Sequence, residues 1–253
     1  MEAAIVDVDG TVIRGSQVLP EATVGLGDLR DAGLSVCFLS NNPTKTPAEY
    51  RDRLIDAGLA THETPVVTSM AVTADVLAEQ HPTAGVYLVG DPPLRAYLTD
   101  RGVDVVDRPA RADVVVGSLD TGVTYEDLAA GIRALERDVP FYGTDPDARI
   151  PTKTGAQPGS GVVLAALEAG AGRPPDAILG KPAETAAQAA LERLGTTADE
   201  TLVVGDRVDT DVALGVKAGM ETVLVDTGID IQPDGPEPDH RIEGIGDIAS
   251  ILG

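Results

Sequence analysis

The sequence predicts an α/β protein built on a mainly parallel sheet, with a second α/β domain inserted into the first. Three observations lead there. Short β-rich runs alternate with helical patterns through almost all of the 253 residues, the signature of βα units. A middle stretch carries enough strands for a small core of its own. After it the first pattern resumes, so the first domain is discontinuous; it is expected at 1–72 and 179–253, with the insertion at 73–178.

The elements follow in order. AAIVDV is the first strand, PEATVGLGDLRDAG a helix, and LSVCFLSNN a strand running into a polar turn. A helix is predicted over 46–57: Thr46 and Glu49 have capping-box spacing, Pro47 suits the first helical position, and Gly58 can end it. Tyr50 and Leu54 then share its buried face. In the insertion, GVYLVG, ADVVVGSL and VPFYGTD read as strands, and PLRAYLTDRG and TYEDLAAGIRALERD as helices. The resumed pattern gives a helix over 184–194, the strand TLVVGD, a helix over 209–218 and the strand TVLVD. QPDGPEPD is a turn-rich loop and IGDIASIL a short helix.

Composition narrows the partners. The net charge of −22, from 41 acidic and 19 basic residues, argues against nucleic acid or an anionic membrane surface. Only four of the basic residues are lysines. Distributed acid with Lys replaced by Arg suits a surface adapted to high salt, where cations screen carboxylate repulsion, better than an ordinary acidic one. No apolar run reaches the roughly 20 residues of a membrane-spanning helix, and the first residues carry no basic signal region, so a cytoplasmic location is the expectation. Cys37, the single cysteine, excludes an internal disulfide and reads as a small buried hydrophobe.

The chemistry-bearing residues stand at strand ends, where parallel α/β sheets gather their ligands. Asp7 and Asp9 close the first strand in DVDGTV, with Gly10 permitting a sharp turn. Ser40, Asn41 and Asn42 follow the second strand and can hydrogen-bond phosphate oxygens. Lys181 lies in GKP, just before a helix, and Asp206 and Asp211 lie in GDRVDTD, after the strand TLVV. His62, His81 and His240 show no ligand spacing.

Taken in order, DVDGTV, SNN, GKP and GDRVDTD resemble the four motifs of the haloacid dehalogenase (HAD) superfamily, across nearly the whole chain. The insertion between SNN and GKP resembles the C2-type (class II) cap, and GDRVDTD looks like the NagD and p-nitrophenylphosphatase branch. The resemblance implies a Rossmann-like HAD core with an inserted α/β cap, and a Mg²⁺-dependent phosphatase of small phosphorylated metabolites such as sugar phosphates, glycerol phosphate, phosphoglycolate or nucleotide monophosphates. It assigns Asp7 as nucleophile forming an aspartyl phosphate, and Asp9 as the acid and base that dehalogenase relatives lack. Lys181, Ser40 and Asn41 would hold the phosphate. Asp7, Asp206 and the backbone carbonyl of Asp9 would hold the metal, with Asp211 completing or orienting that site, directly or through water. GTDPDARIPT resembles the branch's specificity loop and QPGSG its glycine-rich stretch, so Asp145, Asp147 and Lys153 are candidates for reading substrate; Asp145 stands where the branch has Asn. Self-association through the cap is a further expectation. The alternatives are a phosphotransferase to a sugar and a phospho-accepting or binding protein without turnover.

Overall fold

The first sheet runs, edge to edge, through His240–Ile242, Glu221–Val225, Thr201–Gly205, Ala3–Val6, Ser35–Ser40 and Val66–Thr68. The ladders joining its first five strands are parallel. Every residue of Ala3–Val6 is buried, as a central parallel strand covered on both faces requires. Helices supply the cover: Ala22–Asp31 buries Leu26 and Leu29, and Pro47–Asp56 buries Tyr50 and Leu54, four residues apart on one face. Val6, Phe38, Tyr50, Leu54 and Val204 belong to one apolar cluster. This computed structural model describes residues 1–152, 155–226 and 235–252.

A second sheet has the order Ala177–Ile178, Phe141–Gly143, Val114–Gly117, Gly85–Val89 and Asp104–Val105, with parallel ladders throughout. Side chains alternate across it with the two-residue period of a strand. Val114 and Val116 pack with Val86, Leu88, Leu94 and Leu98 in one cluster, whereas Val115 packs with Tyr87, Val89, Phe141 and Leu167 in another. The chain divides into two units accordingly: Met1–Ser40, Pro47–Val67 and Lys181–Gly253 form one, and Asn41–Thr46 and Thr68–Gly180 the other.

The predicted helix over 46–57 forms as Pro47–Asp56, and that over 184–194 as Glu184–Leu194. The helix expected over 209–218 is a correction. Val208–Val212 is a wide π-type turn, and only Ala213–Ala218 is α-helical. The cause is local: Arg207 N–H donates to Asp211 Oδ2 at 3.1 Å, and the Arg207 guanidinium grips Asp209, so side chains of the acidic motif shape the backbone of its own turn. The terminal IGDIASIL makes tight 3₁₀ turns over Ile245–Ser250.

Two helices escaped the sequence reading. Ser69–Gln80 is buried on most of its faces, which erases the amphipathic period, and Ser160–Ala171 starts inside the Gly-rich QPGSG. The hairpins Ile13–Arg14 with Gln17–Val18 and Arg149–Thr152 with Gly155–Pro158 are also additional. Lys153 and residues 232–234 of the predicted turn-rich loop lie outside the described residues. Among the described residues, no helix is long and apolar enough to cross a membrane.

Candidate active site

Strand register brings the acidic motifs together. Val6 pairs with Val204 on one side and Phe38 on the other, so Asp7, Asp206 and Ser40 emerge at the carboxyl ends of three adjacent strands. The Asp7 N–H still donates to the Val204 carbonyl at 2.9 Å, which fixes its backbone to the ladder. Asp7, Ser40, Asp206, Asp211 and Lys181 are all buried.

Lys181 is the hub of the cluster. Its ammonium donates to Asp7 Oδ1 at 2.5 Å and to Asp211 Oδ1 at 2.6 Å, while Thr11 Oγ1 donates to Asp7 Oδ2 at 3.2 Å. Burial pushes the Asp7 carboxyl well above the usual carboxylate range; Lys181 pulls it back, and Asp211 and Asp206 add to the rise. Asp206 is pushed up to about 7 by burial first and Asp211 second. Burial alone would lower Lys181, but Asp211 and Asp7 reverse this and hold it above the ordinary lysine range. The cluster therefore strains against its own negative charge, and one lysine carries most of the compensation.

The same residues suit a hard divalent cation. Asp7, Asp206 and Asp211 each offer an oxygen within 4.8 Å of the others, and a set of oxygen donors without Cys or His matches Mg²⁺ better than a soft metal. The backbone is cut to admit these carboxylates. A Cβ on Gly10, whose φ is +113°, would lie 2.0 Å from Asp206 Oδ2, and one on Gly205 would lie 2.2 Å from Asp211 Cγ. Any side chain at either position collides with a carboxylate of the cluster.

Asp9 turns elsewhere. Its side chain, 44% exposed, accepts from the Tyr50 hydroxyl through Oδ2 at 2.5 Å and from Arg53 through Oδ1 at 3.2 Å. Its carboxylate stands outside the Asp7, Asp206 and Asp211 group. Ser40 Oγ donates to the same Tyr50 hydroxyl at 3.2 Å. Burial first, then Asp9, hold the Tyr50 phenol well above its ordinary range. Sequence reading found Tyr50 only as a core residue and missed Arg53. A usable signal was present: a buried tyrosine needs a partner for its hydroxyl, and Arg53 is three residues along on a neighbouring part of the helix surface.

In the second unit, Asn41 is buried, and its backbone carbonyl accepts from Ser69 Oγ at 2.7 Å. Asp145 is buried too, and collects three hydrogen bonds: from Ser160 Oγ at 2.6 Å, Thr144 Oγ1 at 2.9 Å and the Asp147 N–H at 3.2 Å. Burial, and then the charge of Asp147, raise its carboxyl from an ordinary 3.8 to about 7. Below about pH 4 Asp145 is protonated in folded and unfolded chains alike; between about 4 and 7 only the unfolded chain ionises, so the native state loses stability as pH rises through that window. Against an Asp145→Asn variant, thermal melts should show the native protein losing ground from about pH 4 to 7 and the difference levelling off above. A pH-independent difference would contradict the burial-driven shift.

Comparison with known proteins agrees with this geometry. A family model described as haloacid dehalogenase-like hydrolase matches residues 4–104, and a HAD-hydrolase-like model matches 178–248. The chain is 34% identical over 245 residues to the 5'-nucleotidase YutF of Bacillus subtilis, covering 95% of this chain and 94% of that protein. It is 34% identical over 233 residues to an acid sugar phosphatase of Staphylococcus epidermidis, covering 92% and 89%. The solved p-nitrophenyl phosphatase from Archaeoglobus fulgidus superposes with a TM-score of 0.90 at 31% identity, over 99% of this chain and 98% of that one. The chain therefore belongs to the haloacid dehalogenase-like hydrolases, in their NagD and p-nitrophenylphosphatase branch.

Proposed function

We propose that this phosphatase of small phosphate monoesters works through Asp7, whose carboxylate attacks the phosphoryl group and carries it as an aspartyl phosphate. The observation behind the assignment is the Lys181 ammonium held between Asp7 Oδ1 and Asp211 Oδ1 in a buried pocket of carboxylates. That contact favours the ionised form of Asp7, which burial opposes, and places positive charge where the transferring group gains negative charge. Asp9 protonates the leaving alkoxide and then activates the water that cleaves the aspartyl phosphate. Ser40, Asn41 and Lys181 hold the phosphate oxygens, and Asp211 keeps Lys181 aimed at Asp7.

Asp7, Asp206 and the Asp9 backbone carbonyl would hold Mg²⁺, with Asp211 supporting the site through its hold on Lys181. Bound there, the cation would screen the carboxylates from the phosphate dianion and neutralise charge on the phosphoryl oxygens. Phosphate release should therefore stop on chelation and return with added Mg²⁺; full turnover by metal-stripped enzyme would refute the metal assignment.

The relatives are a nucleotidase, a sugar phosphatase and a nitrophenyl phosphatase, which directs the substrate search to nucleotide monophosphates and sugar phosphates. Asp145 and Asp147 are proposed to set the choice among esters. A phosphate-release screen over these compounds, with and without a sugar acceptor in the mixture, ranks the substrates and tests water as the acceptor. Transfer to the sugar in place of phosphate release would make the enzyme a phosphotransferase. The screen belongs in high salt. With 41 acidic residues against 19 basic, self-repulsion should weaken the folded state as screening falls. The melting temperature is expected to rise from low to molar potassium chloride, and a flat response would remove the halophilic reading.

A further inference from the structure

We propose that Tyr50, with Arg53, is a positioning residue for Asp9: the two side chains fix the plane of its carboxyl, and Tyr50 ties it to Ser40. The inference deepens the reading of Asp9 as acid and base, and rests on it.

The geometry supports each part. Tyr50 is fully buried in the apolar cluster of the first unit, so its ring is a rigid post. Its hydroxyl emerges from that cluster to meet Asp9 Oδ2 at 2.5 Å. Arg53, one turn along the same helix, reaches Asp9 Oδ1 at 3.2 Å and also donates to the Gly15 carbonyl at 2.5 Å. A carboxylate has about four lone-pair sites. One donor on each oxygen leaves a site on each for the proton in transit, so anchoring does not compete with the chemistry. Without those anchors a short side chain that is 44% exposed would spread over its staggered rotamers, and proton transfer demands a narrow range of positions.

Tyr50 also joins two functions. Ser40 Oγ donates to the phenol oxygen at 3.2 Å, while the phenol proton goes to Asp9. The residue proposed to hold the phosphoryl group is thus two hydrogen bonds from the residue proposed to protonate the leaving oxygen. Ser40 fixes the phenol oxygen, and it is the phenol's contact to Asp9 that calls for a hydroxyl at position 50, since a phenylalanine would fill the same core.

The test is Tyr50→Phe alongside Asp9→Asn and the double variant, each assayed with Mg²⁺ on glycerol phosphate and, by rapid mixing, on p-nitrophenyl phosphate. For Tyr50→Phe, kcat on glycerol phosphate should fall roughly 10- to 100-fold with KM little changed. The nitrophenolate burst should stay fast, because that leaving group needs no proton, while the steady rate after it falls. On glycerol phosphate the double variant should be no slower than Asp9→Asn alone, because Tyr50 acts only through Asp9. A structural role would instead slow both burst and steady phases, and its loss would multiply with that of Asp9→Asn; either result overturns the proposal. If Tyr50→Phe melts below the assay temperature, Arg53→Gln must show the same pattern in milder form, and its absence is equally fatal. If Asp9→Asn itself fails to discriminate between the leaving groups, the acid–base reading falls and takes this inference with it. If only Tyr50→Phe fails to discriminate, the acid–base reading stands and this inference alone is lost.

Discussion

Replacing Asp7 by asparagine should abolish turnover, by roughly 10⁴- to 10⁶-fold, and leave the protein folded. The loss is large because a carboxamide is not a phosphoryl-accepting nucleophile, and removing a nucleophile disables the other members of its catalytic set. Folding should survive for a reason visible in the site. Lys181 keeps its 2.6 Å contact to Asp211, and one of three buried, mutually repelling carboxylates becomes neutral. Phosphate release under single-turnover conditions, with a thermal melt of the same sample, checks both halves. Activity within tenfold of the native enzyme would remove Asp7 from the nucleophile's role.

The opposite balance of effects is expected for Lys181→Met, which removes the ammonium held between Asp7 and Asp211. Both carboxylates are buried, and stripping the partner from a buried charge typically costs about 3–5 kcal/mol. A sharp fall in melting temperature should therefore appear in chelator, with partial recovery when Mg²⁺ is added, since a cation bound by the carboxylates favours the folded state. Turnover should fall roughly 10²- to 10³-fold even with the metal present, the usual loss when one preorganised electrostatic contact to the transferring group is removed. A variant as stable as the native protein in chelator would show that Lys181 is not what balances the buried carboxylates.

The legible parts of the structure were those with a local chemical signature. The strand ends carrying Asp7, Ser40 and Asp206 could be found because apolar runs stopped at polar residues, and strand register then brought them side by side. The helix Pro47–Asp56 announced itself through Pro47 and the spacing of Tyr50 and Leu54. What stayed hidden depended on tertiary partners. Ser69–Gln80 is buried over most of its surface, which blurs its period, and the wide turn Val208–Val212 is shaped by contacts between Arg207 and the acidic side chains. The contact of Tyr50 with Asp9 was invisible for the same reason: Asp9 is 41 positions away in sequence and 2.5 Å away in space. Lys181 shows the converse. Its place in GKP marked it as unusual, and the structure then found it joined to Asp7, 174 positions away in sequence.

The central claim, a phosphoryl group carried on Asp7, is tested most directly by acid-quenching the Asp9→Asn enzyme milliseconds after mixing with p-nitrophenyl phosphate and Mg²⁺, then locating the added phosphoryl mass by peptide mass spectrometry. If Asp9 is the proposed acid and base, Asp9→Asn should slow hydrolysis of the intermediate without blocking its formation from this ester, so nearly one phosphoryl group per chain should be found on the peptide containing residue 7, and none in the Asp7→Asn/Asp9→Asn double variant. A phosphoryl group on Ser40, or none on any residue while nitrophenolate is released, would contradict the account.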